Sequence, residues 1–378
     1  MDFDLSDDQR LLKDSVDRFI ADRYGFEQRK QYGAAPDGWS RDVWRSFAEL
    51  GVLGLPFEEA HGGYGGGPVE TMIVMEAFGR GLVLEPYFAA VVLGGGLIRR
   101  AGDAAQQADL LPRVAGGELL VAFAQLERQS RYDLFDVRTT VKRKGARWTI
   151  DGSKVVVLHG DVADKLLVTA RTSGAARDRG GIGLFLVDAN ASGVTRNGYP
   201  TQDGQRAADI TFSNAPAEAV LGDPENALPT IERVVDEAIA ALSAEAVGVM
   251  QEMHVTTVDY MKTRKQFGRA IGEFQALQHR AVDMYVALEQ ARSMAMYATM
   301  MSASDDAEER SRAMSAAKVQ IGRSGRHVGQ DAVQLHGGIG MTMEYKVGHY
   351  FKRMTAIDLM FGDADRHLER VAEAGGLF

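Results

Sequence analysis

The chain has 378 residues, 45% of them hydrophobic, enough for two or three packed units with a large buried core. Its 52 acidic against 43 basic side chains leave a formal net charge of −9, which argues against a general binder of nucleic acid or anionic membrane. Cysteine is absent, so disulfides, thiolate nucleophiles and cysteine metal sites are excluded. The start, Met1 to Asp8, is acidic where a signal peptide is basic, and no apolar run approaches the roughly 20 residues of a membrane helix. A soluble, cytoplasmic protein is expected.

In chain order, Ser6 followed by Asp7, Asp8 and Gln9 reads as a helix start, with Leu11, Leu12, Val16, Phe19 and Ile20 at helical spacing. Glycine clusters at 51–54 and 62–67 interrupt the pattern, and a helix resumes over Val69–Leu82. The second cluster follows no strand and carries no phosphate-loop lysine, so it reads as a loop between helices. From residue 118 the composition turns to short β-branched runs: Leu119–Leu126, Arg147–Ile150, Lys154–Leu158, Leu166–Thr172 and Gly183–Val187. Asp151-Gly152, between two of these runs, is the pair a tight hairpin favours. Beyond Pro224 the helical period returns, with Ile231, Val234, Val235, Ala238, Leu242, Ala246, Val249 and Met253 along one stripe. The polar stretch Ser302–Glu309 is expected to join two antiparallel helices at about 274–301 and 306–335, with Met294, Met296, Met300 and Met301 as packing residues. The expected architecture is α+β: a helical domain over 1–117, a β domain over 118–223 and a helical domain over 224–378.

Two C-terminal segments carry the chemistry. Arg264-Lys-Gln-Phe-Gly-Arg-Ala-Ile-Gly-Glu-Phe-Gln275 and Gln334-Leu-His-Gly-Gly-Ile-Gly340 together resemble the signatures of the flavin-dependent acyl-CoA dehydrogenases, and the helix–strand–helix order resembles that family end to end. The opening residues and Gly54–Gly65 also resemble its N-terminal domain. The resemblance implies a β-barrel or sandwich in the middle, a C-terminal four-helix bundle, and FAD as cofactor. It places Arg264, Phe267 and Gln275 on the adenosine and pyrophosphate end of FAD across a subunit interface, and Gln334, Gly337 and Gly338 on a second cofactor segment. An arginine fork suits phosphate oxygens, and absent side chains let a dinucleotide approach backbone closely. Metal ligation is not expected: His159 and His336 have no partner pattern, and His-Glu-x-x-His does not occur.

The family's reaction needs a carboxylate to take the α-proton of an acyl-CoA while flavin accepts the β-hydrogen as hydride. The spacing from Gly338 to Gly362 puts Phe361 at the usual glutamate position, where only its backbone N–H could serve, on the thioester oxygen. The alternative base position of some relatives corresponds to Ala238. Glu245, seven residues on, projects from nearly the same helical face but about 10 Å further along the axis, whereas Glu237 points about 100° away. Glu245 is therefore the candidate catalytic residue, with a buried ion pair as its other reading. Leu126 and Leu158 replace the family's flavin-facing side chains. These departures resemble mixed-subunit members of the family, including the small subunit of pimeloyl-CoA dehydrogenase. The resemblance implies an acyl-CoA substrate, an electron-transfer flavoprotein as acceptor, and either a homologous partner chain in a heterotetramer or a homotetramer. The alternative is a non-catalytic subunit that completes a partner's FAD site.

Overall fold

The computed structural model describes residues 5–145 and 147–375, so the acidic start at Met1–Asp4 lies outside the described residues. The chain divides into two compact units. One comprises Met1–Gln31, Pro68–Val83 and Ile239–Phe378; the other comprises Tyr32–Gly67 and Leu84–Ala238. The N-terminal helical segment is thus shared between them, and one long helix, Leu228–Thr263, runs through the boundary.

The first unit is helical. Helix α1 (Asp7–Arg23) begins where the sequence indicates: Ser6 Oγ accepts the Gln9 N–H at 3.2 Å, and the Gln9 side chain returns to the Ser6 N–H at 3.0 Å. Only Val16 and Ile20 of its apolar stripe are buried, and Leu11 is exposed. Helix α2 (Phe26–Gly33) starts in this unit, and α3 (Arg41–Glu49) belongs to the other. Helix α4 (Pro68–Gly81) meets the long helix through glycines: a Cβ on Gly79 would lie 2.1 Å from the Glu245 carbonyl oxygen, and one on Gly248 would lie 2.0 Å from that of Glu76. Two backbones can approach this closely only where both side chains are missing.

The second unit holds α5 (Gly96–Ala101), α6 (Ala104–Ala115) and a mixed sheet. Its strands are β1 (Val121–Ala124), β2 (Thr140–Lys144), β3 (Arg147–Leu158), β4 (Lys165–Arg171), β5 (Ile182–Asp188), β6 (Val194–Pro200), β7 (Arg206–Ala217) and β8 (Ala219–Leu221), in the order β6-β7-β3-β2-β4-β5-β8, with β1 parallel to β4. Val157, Leu166, Val168, Phe185, Ile210 and Phe212 form its buried core. The expected hairpin at Asp151-Gly152 is not there. Both residues lie inside β3, at a register shift between Ile150 and Gly152, and a Cβ on Gly152 would come within 2.6 Å of Thr139 Oγ1. This glycine serves a bulge and a close contact rather than a reversal. The reversal into β3 falls near Gly145, whose φ is +62°.

Helix α7 (Leu228–Thr263) buries every residue of the stripe from Ile231 to Met253, and from Ala238 to Met250 it is buried on all sides. A two-stranded ribbon, β9 (Lys265–Gln266) and β10 (Arg269–Ala270), then leads into α8 (Gln275–Met301) and α9 (Ala307–His336). These two run antiparallel: Gln290 faces Gln320 and Arg280 faces Asp331. Asp306 caps α9 by accepting the N–H groups of Glu308 and Glu309. The core face of α8 is made of Ala287, Leu288, Ala291, Ala295 and Ala298, while the four methionines are only half-buried. Helices α10 (Lys346–Leu359) and α11 (Ala364–Glu373) pack on α9 and complete the bundle.

Candidate cofactor and active site

The segment after α7 is shaped by a two-residue turn. Phe267 and Gly268, with φ of +55° and +81°, connect β9 to β10 in the left-handed conformations that a tight ribbon needs. The turn thrusts the Phe267 ring into solvent at 88% exposure, with the Phe274 ring edge-on at 6.1 Å. Three residues earlier the Arg264 backbone is fixed at both ends: its N–H donates to Tyr260 O and its carbonyl accepts from Ile271 N, each at 2.8 Å. Its guanidinium is exposed and makes no side-chain hydrogen bond or ion pair among the described residues. Gln275, the first residue of α8, and Gln334, in the last turn of α9, are exposed as well.

Because α8 and α9 are antiparallel, Gln275 and Gln334 lie at the same end of the helical pair. An aromatic cluster ties the two sequence segments together there. The Tyr260 ring, at the end of α7, stacks on His336 at 4.4 Å, and Tyr345, just before α10, lies 5.0 Å from His336. His336 Nδ1 faces the Ala332 carbonyl at 2.7 Å, so the proton sits on Nδ1, and burial pushes the imidazole below its ordinary pKa. His336 is thus structural. The sequence pattern of single tyrosines gave no signal for this cluster.

Gly337 ends α9 at φ +64°, ψ −143°, a conformation reserved for glycine. Gly338 differs. Among the described residues nothing lies within 4 Å of a Cβ built on it, so none of them demands a glycine there. Open backbone, an unpaired guanidinium, an exposed aromatic face and two amide side chains form a set that fits a dinucleotide bearing phosphates and an aromatic base.

The candidate acid–base groups are arranged differently. Glu245 is buried on α7 and takes a bidentate ion pair from Arg353 of α10, Nε to Oε1 at 2.6 Å and Nη2 to Oε2 at 2.7 Å. Both carboxylate oxygens are therefore engaged. Glu237 is bound by Arg99 at 3.0 Å, by Arg233 at 3.3 Å and by Arg100. Ala238 is fully buried. Phe361 stands between α10 and α11 with a left-handed backbone, φ +58°, followed by Gly362 at φ +118°.

In the β unit, the Leu126 carbonyl accepts the Val155 N–H at 2.8 Å. Beside it, Glu127 accepts the N–H groups of Arg138 and Thr139 and a 2.7 Å bond from the buried Lys154 Nζ. Lys154 also donates to the Gln125 carbonyl and to Thr169 Oγ1. Burial lowers the Lys154 pKa to about 8 against the pull of Glu127, and although burial opposes ionisation of Glu127, Lys154 and the hydrogen bonds hold that carboxyl at about 2. Leu158 pairs with Ala207 in the sheet, and His159 Nε2 meets Gln205 Oε1 at 3.1 Å.

Comparison with known proteins identifies the class. Residues 6–118, 122–215 and 230–376 match, in turn, the N-terminal, middle and C-terminal domains of acyl-CoA dehydrogenases. A probable acyl-CoA dehydrogenase of Bacillus subtilis, YngJ, is 27% identical over 99% of both chains. Among solved structures, a variant of the steroid ACAD Tcur3481-Tcur3483 is 29% identical, with a TM-score of 0.87 and 97% of each chain covered. The ChsE4-ChsE5 complex from Mycobacterium tuberculosis is 25% identical, with a TM-score of 0.89 over 99% of this chain and 98% of that one. The chain belongs to the acyl-CoA dehydrogenase family, oxidoreductases acting on CH–CH bonds. Among the described residues no helix is long and apolar enough to cross a membrane.

Proposed function

We propose that this chain is an FAD-dependent acyl-CoA dehydrogenase subunit that works beside a homologous chain carrying the missing carboxylate. In this reading Arg264, Phe267, Gln275, Gln334, Gly337 and Gly338 hold the adenosine and pyrophosphate end of FAD. When bound, FAD supplies the hydride acceptor for α,β-desaturation of an acyl-CoA, and an electron-transfer flavoprotein receives the electrons. The assembly is a tetramer of two kinds of subunit. The observation that carries this reading is the contrast between two groups of residues. The candidate cofactor side chains are exposed and, among the described residues, Arg264, Gln275 and Gln334 make no side-chain hydrogen bond or ion pair, whereas Glu245 is closed off by Arg353 and the usual base position holds Phe361. That contrast also favours Glu245 as a structural carboxylate, and with it the second reading, in which the chain itself does no chemistry and only completes a partner's FAD site. The likeness to Tcur3481-Tcur3483 and to the ChsE4-ChsE5 complex, each named for two chains, supports an unlike partner.

The test is expression of the chain alone and together with a glutamate-bearing homologue encoded beside it. FAD content and acyl-CoA-dependent reduction of an electron acceptor are measured for both preparations. The pair is expected to retain FAD and turn over, and the lone chain to show little turnover. Robust turnover by the chain alone would sink the two-chain reading.

A further inference from the structure

The turn at Phe361-Gly362 keeps a costly shape although phenylalanine cannot act as a base. A non-glycine residue at φ +58° is strained. Three buried side chains from two helices hold it. Lys318, on α9, donates from Nζ to the carbonyls of Ile357 and Asp358 at 2.7 and 2.9 Å, fastening the last turn of α10. His367, on α11 and fully buried, places Nε2 3.1 Å from the Phe361 carbonyl and Nδ1 3.1 Å from Ser315 Oγ of α9. A carbonyl only accepts, so Nε2 carries the proton and donates; Nδ1 then accepts from the Ser315 hydroxyl. The ring therefore has one tautomer and one orientation. Gly362 completes the fit, because a Cβ there would lie 2.7 Å from His367 Nε2.

We propose that His367 is a positioning residue: by donating to the Phe361 carbonyl, with Ser315 fixing its tautomer, it holds the 361–362 turn so that the Phe361 amide is presented to the thioester carbonyl oxygen of a bound acyl-CoA. This rests on the acyl-CoA reading above. The neutral ring it requires is favoured by burial, which together with nearby Lys318 and Arg370 pushes the His367 pKa down to about 3.

The test uses the full-length protein in its purified assembly, as parent, His367→Leu and His367→Gln. Glutamine retains an N–H donor and leucine has none. Hydrogen exchange of the peptide spanning 358–364 reports the turn. Calorimetric binding of octanoyl-CoA and of S-octyl-CoA, a thioether without the carbonyl oxygen, reports its use. In the parent, the thioester is expected to bind about tenfold better than the thioether, the worth of one hydrogen bond. His367→Leu is expected to speed exchange and erase that preference, and His367→Gln to restore both. A packing role alone would weaken both probes alike, so an unchanged preference in His367→Leu overturns the proposal, as does unchanged exchange or equal binding of the two probes by the parent. Binding of neither probe to the parent strikes the acyl-CoA reading, and the exchange result then decides by itself whether His367 holds the turn.

Discussion

Replacing Glu245 with glutamine separates its two roles. Glu245 and Arg353 retain side-chain exposures of only 6% and 5%, and the pair is bidentate. Breaking a buried pair typically costs about 3–5 kcal/mol, because the remaining charge keeps its desolvation penalty without its partner. Glutamine leaves one oxygen to accept from Arg353, which places Glu245→Gln near the lower end, about 3 kcal/mol. At roughly 2–4 °C per kcal/mol for domains of 150–250 residues, the melting temperature falls by about 6–12 °C. The double variant Glu245→Leu, Arg353→Met removes both charges at similar volume and recovers most of that loss, since apolar replacement of a whole buried pair is often neutral. Circular dichroism melts of FAD-matched samples supply the stability. Stopped-flow bleaching of the flavin by acyl-CoA, in the assembly with its partner, supplies the chemistry. Flavin reduction is expected to be little altered in whatever remains folded. A Glu245→Gln protein that melts like the parent yet reduces its flavin at least about 100-fold more slowly would refute this reasoning and make Glu245 a general base.

Arg264→Ala removes a phosphate-pairing charge and is expected to weaken FAD binding by about 1.5–3 kcal/mol, read as flavin retained after gel filtration, with the melting of the apoprotein unchanged. Gly338→Ala meets no atom of the described residues, so it is expected to leave the apoprotein melting temperature alone and lower flavin affinity; Gly337→Ala is expected to lower both, because its backbone conformation suits glycine only. His367 makes stability pH-dependent. Its folded pKa, about 3, lies below the ordinary 6.5, so the unfolded chain binds the proton first as pH falls, and stability present above 6.5 drains away toward pH 3. Urea melts between pH 7 and 4 are expected to show a shallower slope in His367→Gln than in the parent.

Periodicity made the helices legible. The stripe from Ile231 to Met253 and the pair α8 and α9 repeat every three to four residues over long spans, and Ser6 and Gln9 advertise a cap locally. The strands were less legible where glycine misled. Asp151-Gly152 reads as a turn. Yet it lies inside β3, where a Cβ on Gly152 would come 2.6 Å from Thr139 Oγ1. Strand β6 is half polar and mostly exposed, so neither hydrophobicity nor alternation marks it. The candidate cofactor segments stand out in the sequence as local motifs. The groups that hold the candidate base positions do not: Arg353 is 108 residues from Glu245, and His367 is 52 from Ser315. No local pattern reports a partnership made by tertiary packing, although Lys318 does break an apolar face between Met314 and Ile321.

The two kinds of carboxylate and cation in this chain differ in where their stabilisation comes from. Lys154 with Glu127, and Arg353 with Glu245, are satisfied inside the chain, so their charges are spent on its own fold. Arg264 has no such partner among the described residues, and Phe267 exposes an aromatic ring whose full burial is worth roughly 1.5–3 kcal/mol only when something covers it. Under the proposed reading, side chains of the second kind yield their free energy in the assembled, cofactor-bound state. Among the described residues, the carboxylates of Glu127, Glu237 and Glu245 are each held by a cation of the chain, while the outward groups suit the phosphates of a dinucleotide. Under the proposed reading the proton is therefore taken by a carboxylate of the homologous subunit, and flavin retention and turnover become separable properties: Arg264→Ala in this chain lowers the first, and only a change in the partner abolishes the second.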